Sequence, residues 1–358
     1  MEVVALLACV QSQEQAHALW SLGMRTTGLD EAAVRHELDG ARFVRTHILR
    51  PTWHFVAAAD VRWILALTSP RVQRANGTQF RATDPTPAVL DRGAGLILDA
   101  LAGSRHLTRP ELAEVLREGG IDVKGQRLAY VLMHAELEAL ICSGPLRGTT
   151  STYAVLDERV PPTPARSADA MLAELTWRFF SGHGPAEVRD FTRWSSLTTA
   201  QARAGLELVG DRLQRAAVDG LELWYDPLRG GLLQSETVPD QPDGDPSALL
   251  VPLFDELTLS HPRLGFAVAP DHPHPPGYDT YTGSVLVGTQ DVGAWRRTVR
   301  GRRVVVETWL APGLPAATLA AVDRATQRLA TFLGRDLESV RPAAPPAKNR
   351  APQRAWSR

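Results

Sequence analysis

Lysine is nearly missing from this 358-residue sequence. Of its 39 basic residues, only Lys124 and Lys348 are lysines, and the others are arginines. Any contact with phosphate would therefore be made by the forked guanidinium group of arginine. A large excess of charge of either sign is missing as well, because the formal net charge is only −1. A surface that binds nucleic acid would have to arise from local segregation of charge rather than from the composition of the whole chain.

Cysteine and long apolar segments are equally scarce. Cys9 and Cys142 lie far apart without the spacing of metal ligands, which favours a reduced, cytoplasmic protein without disulfides. The apolar run Val3–Val10 is too short to span a bilayer and lacks the flanks of a signal peptide. No metal cage, phosphate loop or dinucleotide fingerprint is present. We therefore expect neither a membrane partner nor a cofactor.

The segment 90–158 has the order of elements of a winged helix, which is three helices followed by a β-hairpin. Thr108 and Glu111 form a capping box at the start of the second helix. The third predicted helix, Gln126–Leu140, has apolar residues at helical spacing. Two short β runs around a turn complete the hairpin. This segment is the clearest winged helix in the sequence.

The same order of elements recurs in the segment 166–235. Its predicted helices are Ala170–Phe180, Pro185–Phe191 and Ala200–Val209. A hairpin follows around Asp219 and Gly220, a residue pair that favours a tight turn. We interpret this segment as a second winged helix, joined to the first by a stiff proline-rich linker.

The remaining segments are less regular. Residues 1–80 contain two helices and a hairpin, but the helix that should open a winged helix is absent or shrunken. Residues 236–335 contain several β runs and one long helix, which predicts a small β-rich domain. Residues 336–358 are rich in proline, alanine and arginine, which predicts a basic, disordered tail.

An ordered series of short motifs covers almost the whole chain. It comprises Val10-Gln11-Ser12-Gln13, Ala18-Leu19-Trp20, Arg50-Pro51-Thr52-Trp53-His54-Phe55-Val56, Leu107-Thr108-Arg109-Pro110-Glu111-Leu112, Gly184-Pro185-Ala186, Leu253-Phe254-Asp255-Glu256 and Gly293-Ala294-Trp295-Arg296. Each motif alone is weak, but the series resembles the AlkZ/YcaQ family of winged-helix DNA glycosylases. The resemblance implies an α+β fold in which three tandem winged helices, the first N-terminally short, pack with a C-terminal β-barrel-like domain around a DNA channel.

The resemblance also implies that Gln11 and Gln13 are the catalytic pair, with Ser12 where the family has an apolar residue. Residues at i and i+2 of an extended chain face the same way, so the two amides are expected to converge. An amide is not a useful base, but it can hold a water and place a carbonyl dipole beside a developing cation. From the residues alone, both glutamines are more simply explained as exposed polar side chains. The motif series favours the catalytic interpretation of Gln11 and Gln13 instead.

The function predicted from this resemblance is a monofunctional DNA glycosylase. Its substrate would be N3- or N7-alkylated purines in double-stranded DNA, including bulky or crosslinked bases, and the enzyme would act as a monomer. Such relatives can give self-resistance to producers of DNA-alkylating natural products. The alternative is a non-catalytic winged-helix transcriptional regulator, which would bind a palindromic duplex with sequence preference.

Several polar residues outside the glutamine pair are candidates for DNA contact. The predicted set is Arg50, His54, Gln126, Arg127, Arg296, Arg297, Arg300, Arg302 and Arg303. The five arginines at 296–303 cluster on one hairpin, where backbone phosphates or solvent are the two explanations. His54 is equally explained as a structural histidine.

Two further groups of residues, one acidic and one of histidines, have side chains that could act in catalysis or metal binding. Asp255 and Glu256 form either an acidic catalytic pair or, more commonly, a pair that caps a turn or binds an arginine. His261, His272 and His274 lie among prolines. They lack the cysteine or carboxylate support of a metal site, so we interpret them as loop residues.

Overall fold

The computed structural model describes residues 2–83, 85–229, 246–261, 267–273 and 282–342. The chain divides into two compact units. The first comprises residues 1–18, 33–238 and 256–262, and the second comprises residues 19–32, 239–255 and 263–358. Both units are therefore built from separate stretches of the sequence, which the contiguous domains expected from the sequence do not anticipate.

The N-terminal part of the chain forms a small antiparallel sheet bordered by helices. Its elements are α1 (Glu2–Leu6), β1 (Cys9–Gln11), α2 (Gln15–Met24), α3 (Glu31–Asp39), β2 (Phe43–His47), β3 (Trp53–Ala57) and α4 (Val61–Thr83). The strand order is β1-β3-β2. Antiparallel pairing places Gln11 opposite His54 and His47 opposite Trp53. The first described helix, α1, is five residues long.

The next segment follows the order of elements predicted for residues 90–158. Its elements are α5 (Pro87–Leu101), β4 (Leu107–Thr108), α6 (Arg109–Glu118), α7 (Arg127–Leu137), β5 (Ile141–Ser143), β6 (Thr152–Val155) and α8 (Leu156–Arg159). The capping box between Thr108 and Glu111 is present. Helix α7 ends three residues before the predicted limit, and Ala139 follows it with a left-handed φ of 57°.

The following segment contains α9 (Ala168–Gly182), α10 (Val188–Ser195), α11 (Thr199–Val209), β7 (Gln214–Val218) and β8 (Leu221–Tyr225). The predicted hairpin turn is confirmed, since Asp219 and Gly220 both have positive φ, 51° and 76°. The predicted start of the middle helix at Pro185 is wrong. Ala186 instead exchanges backbone hydrogen bonds with Trp224, at 3.0 and 2.8 Å, so the helix begins only at Val188.

An aromatic cluster forms part of the core of the first unit. The ring centroid of Phe179 lies 5.1 Å from those of Phe180 and Trp194 and 5.2 Å from that of Phe191. Trp194 and Phe191 are completely buried. The short helix α12 (Glu256–Leu259) belongs to the same unit. Its first residue is hydrogen-bonded to Trp194, so the cluster helps to position Glu256.

The second unit is built on a six-stranded sheet. Its elements are β9 (Ala248–Val251), β10 (Ala267–Val268), β11 (Gly283–Val287), β12 (Gln290–Arg300), β13 (Arg303–Leu310), α13 (Ala316–Leu333) and β14 (Asp336–Val340). The order is β14-β13-β12-β11-β9, with β10 parallel to β12. A closed barrel is therefore wrong for the described residues, because β14 and β9 end the sheet and do not pair with each other.

The limits of the C-terminal segments also differ from those predicted. Residues 336–340 were expected in a disordered tail, but they form β14, which pairs in parallel with β13. A strand at this position extends the predicted domain beyond residue 335. The remainder of the predicted tail, from residue 343 onward, lies outside the described residues, as do residues 230–245 and His274.

Candidate active site

The backbone of the Gln-Ser-Gln motif is held by hydrogen bonds from several directions. The Gln11 N–H donates to Oε1 of Glu256 at 2.7 Å, and the Ser12 N–H donates to the Trp53 carbonyl at 2.7 Å. Arg45 donates from Nε to the Ser12 carbonyl at 3.0 Å and from Nη2 to the Gln13 carbonyl at 3.4 Å. The motif therefore has a defined backbone position.

Arg45 is itself fixed by an aromatic neighbour. Its guanidinium lies 4.3 Å from the ring centroid of Trp53, within the range of a cation–π contact. Burial lowers the pKa of Arg45 from its ordinary value, and the charge of Glu136 opposes that effect. An arginine remains protonated under all ordinary conditions, so a permanent positive charge lies beside the motif.

The side chain of Gln11 is buried, with 9% exposure. Its Oε1 accepts a hydrogen bond from Nη2 of Arg50 at 2.7 Å. The same Nη2 lies 3.2 Å from Nε2 of His54. Arg50 thus joins the motif to β3, the strand that pairs with it.

Gln13 has a different environment from Gln11. Strand β1 ends at Gln11, and Gln13 is exposed. The expectation that both glutamines share one face of an extended strand is therefore not met, because the strand ends before the second of them. The structure provides one buried, oriented amide and one exposed amide within two residues.

The two acidic residues 255 and 256 have separate roles. Asp255 forms a two-pronged ion pair with Arg25, at 2.7 and 2.9 Å, and also accepts from Ser21. The interpretation that this residue binds an arginine is confirmed. Glu256 is 2% exposed and accepts from the Gln11 N–H and from Nε1 of Trp194, the latter at 3.0 Å. Sequence reasoning missed its contact with the motif.

A second buried carboxylate, Glu136, borders the same region and was also missed. It is 1% exposed, pairs with Nδ1 of His47 and accepts from Nε1 of Trp53 at 3.3 Å. The available signal was a single acidic residue within the buried run of α7. A buried carboxylate needs partners of this kind, so its position predicts a polar cluster.

Two of the predicted DNA contacts, His54 and Arg50, have hydrogen-bond partners within the protein. His54 is completely buried, and its Nδ1 lies 2.9 Å from the Thr52 carbonyl. Burial and the nearby charge of Arg50 hold the pKa of His54 well below its ordinary value. The structural explanation of His54 is therefore the better one, and the Arg50 contacts with Gln11 and His54 favour a role inside the site over DNA contact.

The other predicted DNA contacts have varied environments. Gln126 is exposed, and Arg127 donates to the Asp122 carbonyl at 3.1 Å. Arg296 pairs with Glu307 at 2.7 Å and lies 5.2 Å from the ring of Trp309. The exposed residues of the arginine hairpin are Arg300, Arg302 and Arg303, whereas Arg297 is half-buried. DNA contact by these residues stays a prediction, and it fits the three exposed arginines best.

The described residues offer no other site with clear chemistry. They contain no group of three histidine, cysteine or acidic residues that could hold a metal ion. His272 is 3.0 Å from Oδ1 of Asp291, and burial lowers the pKa of His261. In the part of the chain that the structure describes, no helix is both long and apolar enough to cross a membrane.

Comparison with known proteins identifies the family of this chain. The family described as "DNA glycosylase AlkZ-like" matches residues 4–332. The chain belongs to the AlkZ-like family. A curated relative from Streptomyces sahachiroi, "Interstrand DNA cross-link repair glycosylase", is 24% identical over an alignment of 233 residues, and the match covers 61% of this chain and 62% of the relative. The match thus spans less than two thirds of that protein.

The AlkZ-like fold is also found among solved structures. The structure of the Streptomyces sahachiroi DNA glycosylase AlkZ has a TM-score of 0.67 to this chain, with 20% identity. The match covers 94% of this chain and 92% of that one. At this identity the likeness establishes the fold, while the roles of individual AlkZ-like residues depend on the geometry described above.

Proposed function

We propose that this chain is a monofunctional DNA glycosylase that hydrolyses the N-glycosidic bond of N3- or N7-alkylated purines in duplex DNA. The observation that supports it most is the oriented amide of Gln11, held by Arg50 at 2.7 Å within a motif whose backbone is bonded to Glu256 and Arg45. Membership of the AlkZ-like family supports the reaction class. The name of the curated relative extends the proposal to crosslinked bases.

The chemistry suits residues that are not strong bases. An N3- or N7-alkylated purine carries a positive charge, so it leaves as a neutral base when its bond to C1′ breaks. The sugar becomes oxocarbenium-like, as in glycoside cleavage generally. The protein must then orient the base and position a water molecule. The exposed Gln13 offers an amide oxygen that can accept a hydrogen bond from that water.

The test is release of 7-methylguanine from a methylated duplex under single-turnover conditions in the presence of EDTA. Gln11→Ala and Gln13→Ala should each lower the rate, because loss of one positioned polar contact costs at most roughly 10²–10³ in rate. We expect losses near the lower end, since the leaving group is already activated. Gln214→Ala, at an exposed glutamine on β7, is the matched control and should keep the parent rate.

The double variant Gln11→Ala/Gln13→Ala discriminates further. If both amides act on one reacting complex, its loss should be smaller than the product of the two single losses. Parent-like excision by the double variant, with a parent-like melting curve, would contradict the assignment. A parent protein that releases no base, yet binds one palindromic duplex selectively, would instead support the alternative function of a non-catalytic winged-helix transcriptional regulator.

A further inference from the structure

The hydrogen bonds around Arg50 determine which end of the Gln11 amide faces the protein. The two ends of a glutamine amide have the same shape, and only the hydrogen-bond network distinguishes them. Arginine has donors and no acceptor. The atom that lies 2.7 Å from Nη2 of Arg50 is therefore the amide oxygen of Gln11.

His54 accounts for the second hydrogen of the Arg50 nitrogen that contacts Gln11. Its Nδ1 lies 2.9 Å from the Thr52 carbonyl, which can only accept, so Nδ1 carries the hydrogen. Arginine can only donate, so the ring nitrogen that faces Arg50 carries no hydrogen and the ring is neutral. Burial and the charge of Arg50 lower the pKa of His54 in the same sense. Its Nε2 therefore accepts from Nη2 of Arg50 at 3.2 Å. The two hydrogens of Nη2 are thus used by His54 and Gln11.

The opposite end of the amide has no such contact. Among the described residues, the hydrogen bond from Arg50 is the only one that the Gln11 side chain makes. We propose, on the basis of the function proposed above, that Arg50 is a positioning residue that turns the NH₂ group of Gln11 toward the substrate. Gln11 then acts as a hydrogen-bond donor to an acceptor atom on the leaving purine, rather than as an acceptor beside the sugar cation.

The donor role fits the flow of electrons. When the bond between C1′ and the purine nitrogen breaks, its electron pair moves onto the base and neutralises the positive charge. The ring nitrogens and any carbonyl oxygen of the base become better acceptors at that moment. A donor aimed at them stabilises the transition state more than the ground state. The attacking water bonds to C1′ and releases its proton to solvent.

The decisive variant is Gln11→Glu, which keeps an oxygen for Arg50 but has no NH₂ group. If the donor is the useful end, its excision rate should fall about 10²-fold, as for Gln11→Ala. If an acceptor were the useful end, Gln11→Glu would keep the rate. The matched control is Gln214→Glu, because the Gln214 oxygen accepts from the Tyr225 hydroxyl at 3.3 Å and a carboxylate there keeps that bond.

Removal of Arg50 tests the positioning role separately. Arg50→Met leaves the amide free to turn, and misplacement of a reacting group costs up to about 10²-fold. We expect about a tenfold loss, partly restored by Arg50→Lys, which still donates. Arg117→Met, at an exposed arginine paired with Glu114, should have no effect.

NMR spectroscopy reports on the Gln11 amide directly and does not depend on an assay of enzyme activity. In full-length protein labelled with ¹⁵N-glutamine, the NH₂ signals of Gln11 are identified by their absence in Gln11→Glu. They should shift in Arg50→Met, return toward the parent in Arg50→Lys and stay unchanged in Arg117→Met.

The outcomes separate the two proposals. Parent-like excision by Gln11→Glu, or a loss confined to affinity for duplex DNA, would overturn the donor role. Unmoved NH₂ signals together with an unchanged rate in Arg50→Met would overturn the positioning role. Failure of the parent protein to release base would overturn the proposed function, while the NH₂ signals would still decide the Arg50 contact.

Discussion

Glu256 should stabilise the fold through the hydrogen bonds that it accepts, among them those from the Gln11 N–H and the Trp194 indole. Its carboxylate is 2% exposed and bonds the Gln11 N–H at 2.7 Å and the Trp194 indole at 3.0 Å. The change Glu256→Gln replaces one oxygen by an NH₂ group, so one of these donors would face another donor. A buried donor left unsatisfied costs about 1–3 kcal/mol.

We therefore expect Glu256→Gln to lower the free energy of unfolding by about 2 kcal/mol. For units of this size, 1 kcal/mol corresponds to roughly 2–4 °C in melting temperature, so Tm should fall by about 4–8 °C. Differential scanning calorimetry measures this shift. Glu114→Gln removes an exposed carboxylate that pairs with Arg117 and should leave Tm unchanged, because exposed pairs contribute little.

A double-mutant cycle with Trp194→Phe tests the specific contact. In the double variant the indole N–H is gone, so the new amide oxygen can still accept from Gln11 while its NH₂ group no longer faces the indole donor. The double variant should therefore be less destabilised than the sum of the singles, by about 0.5–3 kcal/mol. Additive losses, or an unchanged Tm in Glu256→Gln, would refute the hydrogen-bond arrangement.

Three further outcomes are expected. Arg300→Glu/Arg302→Glu should weaken binding to any duplex and flatten the salt dependence by roughly 0.9 per lost phosphate contact, as measured by fluorescence anisotropy. Burial raises the pKa of Cys142 from 9.0 to about 12, so its stability contribution is present below pH 9 and lost toward pH 12, and Cys142→Ala should melt with a weaker alkaline dependence. Excision assays should show a strong preference for cationic over neutral bases.

Much of the helical order could be predicted because it depends on local signals. The capping boxes at Thr108 and Thr198 are both present, and the turn at Asp219 has the expected conformation. Helix α4 had no such signal. It contains Pro70, a residue that usually ends a helix, and its formation depends on tertiary packing that a single sequence does not display.

The sheet of the second unit shows a different limit. Three of its six strands, β11, β12 and β13, are recognisable from β runs in the sequence. Closure into a barrel depends on whether the first and last strands pair. That pairing is non-local, and β14 instead joins the edge beside β13. A resemblance at the level of short motifs carried the expectation of a barrel, while the described strands form an open sheet.

The residues of the candidate site also divide into those with a local sequence signal and those that only the fold brings together. Gln11 and Gln13 are two positions apart in the sequence and could be recognised as a motif, whereas Glu256 reaches Gln11 from 245 residues away. Arg50 was expected to meet DNA because a sequence shows its charge and not its partner. The structure places it against Gln11, beside the paired strands β1 and β3, and that contact is the basis of the positioning role proposed above.

The charges around the motif bear on the preference for a cationic leaving group that the proposed function includes. Glu256 accepts from Gln11 and Trp194, and Glu136 accepts from His47 and Trp53. Carboxylates held in this way stabilise their donors, and proton abstraction from water would disrupt those bonds. A neutral base needs protonation before it can leave, whereas an alkylated cation has that activation already. Under the proposed function, selectivity would arise from what the site lacks in acid–base strength, and the oriented amide of Gln11 would assist a bond cleavage that the lesion has begun.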